Sequence, residues 1–126
     1  MKLSALLLVG VGGFFGAIAR YFVSMLVTAR WGSNWPLGTF LINISGCFMI
    51  GFFLTLSTER LTVQPAWHFL FPVGFVGAYT TFSTYEYETV RLVESGAWCK
   101  ALCYVVASTV AGYAAVLIAF WSARRF

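Results

Sequence analysis

Charged residues divide the sequence into four long apolar stretches, over about residues 3–29, 37–58, 66–90 and 98–121. A helix needs roughly 20 apolar residues to cross about 30 Å of hydrocarbon, and each stretch reaches that length. Short polar connectors separate the stretches. The pattern predicts an all-α membrane protein with four transmembrane helices, built as a single domain over residues 1–126.

The third stretch contains residues that disfavour a continuous helix. From Pro72 to Tyr85 the chain holds a proline, two glycines and four serine or threonine residues. Proline removes a backbone donor, glycine raises the cost of a helix, and the hydroxyl side chains offer competing hydrogen bonds. We therefore expect the third helix to be broken near its middle. A simple proline kink repaired by serine and threonine is the alternative.

The first stretch carries small residues at helical spacing. Gly12 and Gly16 form a GxxxG pattern, which lets two helix backbones approach closely. The same stretch also resembles a secretory signal, with Lys2 ahead of an apolar run and a candidate cleavage site at residues 17–19. Because the apolar run continues past Arg20, we favour an uncleaved transmembrane helix.

Composition supports the bilayer as the solvent of this chain. Hydrophobic residues make up 60% of the sequence and charged residues only 10%, whereas soluble domains are nearer a quarter charged. So few charges cannot cover a water-facing globule, which argues against a cytosolic enzyme and against a nucleic-acid-binding domain. The net charge of +4 arises from cations at the ends of apolar runs, where lipid headgroups and topology explain them.

The cations are divided equally between the two sides of the predicted membrane domain. One side carries Lys2, Arg60, Arg124 and Arg125, and the other carries Arg20, Arg30, Arg91 and Lys100. Because the Lys/Arg bias of short loops sets orientation, equal numbers predict insertion in both orientations. Two oppositely oriented copies could then form an antiparallel dimer. The alternative is that one cation near a helix end does not count toward orientation.

Polar side chains inside the predicted spans suggest a path for an anion. Asn43 lies in the middle of the second span, Tyr104 and Ser108 share one face of the fourth, and Phe82 and Tyr85 share one face of the third. Amide and hydroxyl groups donate hydrogen bonds, and aromatic ring edges carry partial positive charge. Together they favour a small anion, although each set alone is more typical of helix packing than of a ligand site.

Three other classes of protein compete with an ion channel. A small four-span, proton-coupled multidrug exporter needs an acid in its first span, and this first span has none. A thiol oxidoreductase would need Cys-x-x-Cys, whereas Cys99 and Cys103 are one residue further apart and Cys47 is distant. A non-conducting membrane assembly subunit is the third alternative, and it requires Asn43→Asp and Phe82→Ile to leave tolerance of the small anion unchanged.

The segment Gly74–Glu88, GFVGAYTTFSTYEYE, resembles the signature GxxGGxTTFSTFxxE of the CrcB/Fluc fluoride channels. Matches also occur around Gly12–Tyr21, Pro36–Thr39 with Asn43, and Tyr104–Ser108, in the order of the family. The resemblance implies a passive channel, not an enzyme, in the bacterial inner membrane. It also implies an antiparallel, dual-topology homodimer with two fluoride pores.

The resemblance further implies roles for individual residues. A structural sodium ion would bind main-chain carbonyls of Gly77 and Thr80 at the dimer interface, and Arg20 would draw anions into a vestibule or reach lipid headgroups. The predicted fluoride pore comprises Asn43, Phe82, Tyr85, Tyr104 and Ser108, with the hydroxyls of Thr39, Thr80, Thr81 and Thr84.

The sequence departs from the family signature at two positions. Tyr85 stands where the family has a second pore phenylalanine, and Ala78 stands where it usually has a second glycine. Glu88 matches the signature acid but has no role assigned from sequence. Glu86 has no clear counterpart in the signature.

Overall fold

The computed structural model describes residues 3–126, and the ordered elements in that range are all helical. The helices are α1 (Leu3–Trp31), α2 (Leu37–Glu59), α3 (Pro65–His68), α4 (Gly77–Tyr79), α5 (Phe82–Glu94) and α6 (Trp98–Ala123), and a wide-turned π-helical segment (Phe69–Val76) joins α3 to α4. We call α3, the π-helical segment and α4 the first half-helix, and α5 the second half-helix. The prediction of an all-α chain is confirmed.

The helix bounds lie close to the predicted spans, with one extension. The first, second and fourth spans end within two residues of the observed helix ends, whereas the third continues to Glu94 instead of ending near residue 90. Among the described residues, α1, α2 and α6 are long and apolar enough to cross a membrane. The chain is therefore a multi-pass membrane protein.

Two glycines of α1 allow it to pack directly on the first half-helix. A Cβ atom at Gly12 would overlap the carbonyl oxygen of Leu70, and one at Gly16 would overlap that of Phe75. Gly74 reciprocates, because its own Cβ would lie 2.8 Å from the carbonyl oxygen of Val9. The close approach predicted from the GxxxG pattern is confirmed, and it fixes α1 against the segment that leads to the helix interruption.

The interruption lies downstream of the proline. Pro72 is accommodated inside the π-helical segment, and helical geometry continues to Tyr79. Thr80 and Thr81 are extended, with φ/ψ of −78°/158° and −150°/115°, and the helix resumes at Phe82. The Thr81 side chain accepts a hydrogen bond from the Thr84 backbone N–H at 3.3 Å, the usual cap of a helix start.

The remaining helices form a compact arrangement around this interruption. α2 packs along α6, α5 also packs on α6, and α1 contacts both α2 and the first half-helix. Where α2 and α6 end, the Arg124 guanidinium donates two hydrogen bonds to Glu59, at 2.8 Å and 2.9 Å. These bonds raise the pKa of Arg124. The guanidinium carbon also lies 3.9 Å from the centre of the Phe120 ring.

Candidate functional site

The carboxamide of Asn43 holds the extended backbone at the interruption. Its oxygen accepts a hydrogen bond from the Thr81 N–H at 2.9 Å, and its nitrogen donates to the Thr81 carbonyl at 3.0 Å. In a continuous helix that N–H would bond to the carbonyl of Gly77. A carboxamide nitrogen has two donors, so one N–H of Asn43 remains for another acceptor.

A cavity of about 420 Å³ lies beside this pairing, between α2, α6 and the two half-helices. It contains six of the residues predicted for the pore: Asn43, Thr80, Thr81, Phe82, Tyr85 and Ser108. The other lining residues are Gly46, Cys47, Ile50, Val76, Glu86 and Thr109. We call this space the central cavity.

Ser108 and the aromatic rings give the central cavity its chemistry. The Ser108 hydroxyl oxygen is buried and has no hydrogen-bond partner within residues 3–126. Phe82 is 73% exposed and its ring centre lies 5.8 Å from that of Tyr85. A free hydroxyl, a spare amide N–H and ring edges are all suited to an anion.

Tyr104 and Thr39 do not reach the central cavity, because both donate their hydroxyls to Glu88. Thr39 Oγ1 lies 2.8 Å from one carboxylate oxygen of Glu88, and the Tyr104 hydroxyl lies 2.8 Å from the other. Tyr104 is fully buried and Thr39 is 5% exposed. Glu88 is therefore held by two charge-assisted hydrogen bonds, which are stronger than neutral ones.

Tyr104 also lies next to a residue that lines a second cavity. The second cavity has a volume of about 280 Å³, lies at the connector between α1 and α2, and is lined by Trp35, Thr39, Glu88 and Arg91 among others. The Tyr104 ring centre is 5.4 Å from that of Trp35 on this side and 5.1 Å from that of Tyr85 on the other. Tyr104 therefore packs against one lining residue of each cavity.

The other predicted residues lie outside both linings. Thr84 belongs to the helix cap formed by Thr81. Its hydroxyl oxygen accepts a hydrogen bond from the Thr81 hydroxyl at 2.9 Å, and its backbone N–H donates to the Thr81 hydroxyl oxygen. Gly77 is exposed at the start of α4, and Arg20 is half-buried on α1. The structure therefore brings together the residues nearest the interruption and leaves Arg20 apart from them.

Sequence reasoning left the role of Glu88 open, although a signal was present. Glu88 is three residues after Tyr85, so the two share one face of α5. Tyr85 and Tyr104 are both predicted pore residues, so an acid on the face of Tyr85 is a candidate neighbour of Tyr104, as the structure shows. The lining contributions of Cys47 and Thr109 had no comparable signal.

Long apolar helices and a cavity lined by amide, hydroxyl and aromatic side chains define a small multi-pass membrane protein with a candidate ion site. The chain belongs to the CrcB family, because residues 7–120 match the family model described as CrcB-like protein, Camphor Resistance (CrcB). The resemblance found in the sequence is confirmed.

Several relatives support the same assignment. A fluoride-specific ion channel FluC of Solibacter usitatus is 45% identical over 119 residues, which cover 94% of this chain and 98% of the relative. The protein of the same name from Acidobacterium capsulatum is 46% identical, with 86% of each chain covered. That from Chloroflexus aurantiacus is 40% identical, with 96% of each chain covered.

Proposed function

We propose that this chain is a fluoride-selective channel, not an enzyme, that passively exports fluoride across the bacterial inner membrane and so relieves fluoride toxicity. The observation that carries the proposal is the convergence of Asn43, Phe82, Tyr85 and Ser108 on one cavity beside the helix interruption. The names of the relatives identify fluoride as the ion.

Fluoride is small and strongly hydrated, so its path must replace water with hydrogen-bond donors while binding weakly enough to release the ion. The spare N–H of Asn43, the Ser108 hydroxyl and the ring edges supply such contacts, and Thr80 and Thr81 extend the polar lining. Thr39 and Tyr104 would serve the same path by turning their hydroxyls away from Glu88, to which both donate in this structure. Thr84 acts through the cap of Thr81.

We infer that the active form is an antiparallel, dual-topology homodimer with two fluoride paths. The balance of cations supports this arrangement, since ion pairs neutralise Arg124 on one side and Arg91 on the other and leave the sides equal. The central cavity also opens onto the surface of the single chain, where the ring of Phe82 is 73% exposed. A second copy would cover the Phe82 ring at this opening.

A structural sodium ion at the dimer interface fits the carbonyl groups at the interruption. Sodium prefers oxygen ligands, and the Gly77 carbonyl has lost its helical donor because the Thr81 N–H donates to Asn43. The extended backbone at Thr80 frees a second carbonyl. We expect the dimer to dissociate or melt at lower temperature when N-methylglucamine replaces sodium at constant ionic strength.

The fluoride proposal is tested by efflux from liposomes that contain only this protein. With potassium inside and valinomycin present, we expect fluoride release that stops without the ionophore, as electrogenic flux requires. Phe82→Ile should abolish release, whereas Phe14→Ile, at an exposed site on α1, should not. Release that is electrically silent and driven by a proton gradient would contradict a channel, and wild-type protein without any release would favour a non-conducting subunit.

A further inference from the structure

Glu86 contributes a carboxylate to the lining of the central cavity. It shares that lining with Asn43, Phe82, Tyr85 and Ser108, and Glu86 itself is exposed. It lies four residues after Phe82, about 6 Å further along the axis of α5 at 1.5 Å per residue. An acid therefore lines the cavity that we propose as the path of an anion, within about one helical turn of the interruption.

Glu86 differs from the other acids of the chain in having no partner within the described range 3–126. Glu59 is bound by Arg124, Glu94 by Arg91, and Glu88 by Thr39 and Tyr104. An ionisable group within a membrane-spanning segment that has no counter-charge normally faces a water-filled space. The Glu86 carboxylate thus marks the part of the central cavity that is open to water.

We propose that Glu86 sets the rate of fluoride conduction by electrostatic repulsion at the water-filled mouth of the central cavity. The inference rests on the proposed function, because it requires this cavity to be the fluoride path. By Coulomb's law, two unit charges of the same sign roughly 7 Å apart in water repel enough to lower the occupancy of an ion about threefold, and more where the surroundings are less polar than water. The carboxylate slows fluoride without closing the path.

The repulsion acts on charge and not on ion size. Glu86 therefore changes the rate for all monovalent anions alike and leaves the ratio of fluoride to chloride permeability unchanged. Selectivity resides in the donors and ring edges deeper in the cavity, which discriminate by hydration and size. This separation of rate from selectivity distinguishes an electrostatic determinant from a fluoride ligand.

The test compares Glu86→Gln with the wild type in liposomes of neutral lipid, by initial fluoride efflux. The matched control is Glu94→Gln, which removes an acid about 12 Å further along α5 and outside the central cavity. At low salt we expect efflux by Glu86→Gln to exceed wild type about 3- to 10-fold, and Glu94→Gln to stay within about 2-fold of wild type. Fluoride over chloride selectivity should not change.

Salt provides a second measurement. The Debye length falls from about 30 Å at 0.01 M to about 3 Å at 1 M, so the advantage of Glu86→Gln should shrink toward unity as potassium gluconate is added. An advantage that salt does not reduce, a Glu86→Gln rate equal to or below wild type, or loss of its assembly on size-exclusion chromatography would overturn the inference.

Phe82→Ile, measured in the same series, separates this inference from the proposed function. If Phe82→Ile conducts like wild type, the central cavity is not the path and the proposed route is wrong. If Phe82→Ile abolishes efflux while Glu86→Gln behaves as wild type, the route stands and only the inference about Glu86 is wrong.

Discussion

The side chain of Asn43 and the backbone of Thr81 exchange two hydrogen bonds, at 2.9 Å and 3.0 Å, where the third helix is interrupted. The carboxamide replaces a helical partner that the Thr81 N–H would otherwise find at Gly77. The residue predicted to donate to an anion therefore also satisfies the backbone that makes the cavity possible. In the proposed channel, structure and conduction would depend on the same side chain.

Asn43→Asp tests this double role. A carboxylate can still accept from the Thr81 N–H but cannot donate to the Thr81 carbonyl, and it adds a negative charge to the central cavity. We expect the variant to lose about 1–3 kcal/mol of stability through the unsatisfied carbonyl, and to lose fluoride efflux through charge repulsion. Thermal unfolding in detergent and liposome efflux report the two effects separately.

Asn34→Asp is the matched control, because it makes the same chemical change at an exposed position on the connector between α1 and α2. It should leave both measurements near wild type. Wild-type efflux by Asn43→Asp would show that the carboxamide is structural only, and wild-type unfolding would show that the pairing with Thr81 contributes little.

The two hydrogen bonds to Glu88 predict strong coupling with Tyr104. Hydrogen bonds to a charged group contribute about 1.5–3 kcal/mol, and Glu88→Gln leaves one acceptor oxygen where there were two. We expect Glu88→Gln and Tyr104→Phe each to destabilise the protein, and the double variant to be destabilised by less than the sum. A double-mutant cycle in thermal or denaturant unfolding measures the coupling.

Tyr113→Phe provides the comparison for that cycle, since Tyr113 lies on the same helix and is 68% exposed. Tyr113→Phe should change the free energy of unfolding only slightly, and its effect should add to that of Glu88→Gln. Additive effects of Tyr104→Phe with Glu88→Gln would mean that the hydrogen bond between them adds no net stability.

Much of the fold follows from the sequence because the membrane restricts the alternatives. Apolar stretches bounded by charge have to be helices of bilayer length, so α1, α2 and α6 are found within two residues of their predicted ends. The position of the interruption was harder to place. Pro72 is the strongest helix breaker in the segment, yet a π-helical turn accommodates it, and the carboxamide of Asn43 stabilises the extended backbone at Thr80 and Thr81 instead.

The candidate site was predictable where residues are close in sequence and less so where the fold joins distant ones. Phe82 and Tyr85 share a helical face, and both line the central cavity as that spacing indicates. Tyr104 was placed on the path by its spacing from Ser108 and Thr39 by resemblance, but nothing in either spacing indicates that Glu88 binds both hydroxyls. That contact depends on the packing of α5 between α2 and α6, which only the three-dimensional structure supplies.

Alanine substitutions at the glycines of α1 test its packing on the first half-helix. A methyl group at Gly12 or Gly16 would overlap a backbone carbonyl of Leu70 or Phe75, which cannot move away as a side-chain tip could. We expect Gly12→Ala and Gly16→Ala each to cost about 1–3 kcal/mol, as overpacking typically does. Gly10→Ala is the control, because a Cβ there would meet no atom within 4 Å. Equal melting temperatures for the three variants would show that α1 can shift without cost.

Tyr85→Phe tests whether the hydroxyl that distinguishes this chain from the family signature slows conduction. The Tyr85 hydroxyl makes no hydrogen bond in the described part of the chain, while its ring packs between Phe82 and Tyr104. Removing the hydroxyl should therefore leave stability within about 0.5 kcal/mol of wild type.

The effect on rate follows from what the Tyr85 hydroxyl does in the central cavity. On the proposed path the hydroxyl would occupy volume and offer a donor that holds fluoride too long, and both would raise the barrier to conduction. We expect Tyr85→Phe to conduct faster by roughly two- to fivefold, a change of about 0.5–1 kcal/mol in the barrier. Tyr87→Phe, at a 66% exposed site on α5, should conduct like wild type. Slower efflux by Tyr85→Phe would mean instead that the hydroxyl is one of the groups that replace the hydration shell of fluoride, and that this chain has gained a ligand where the family signature has a ring edge alone.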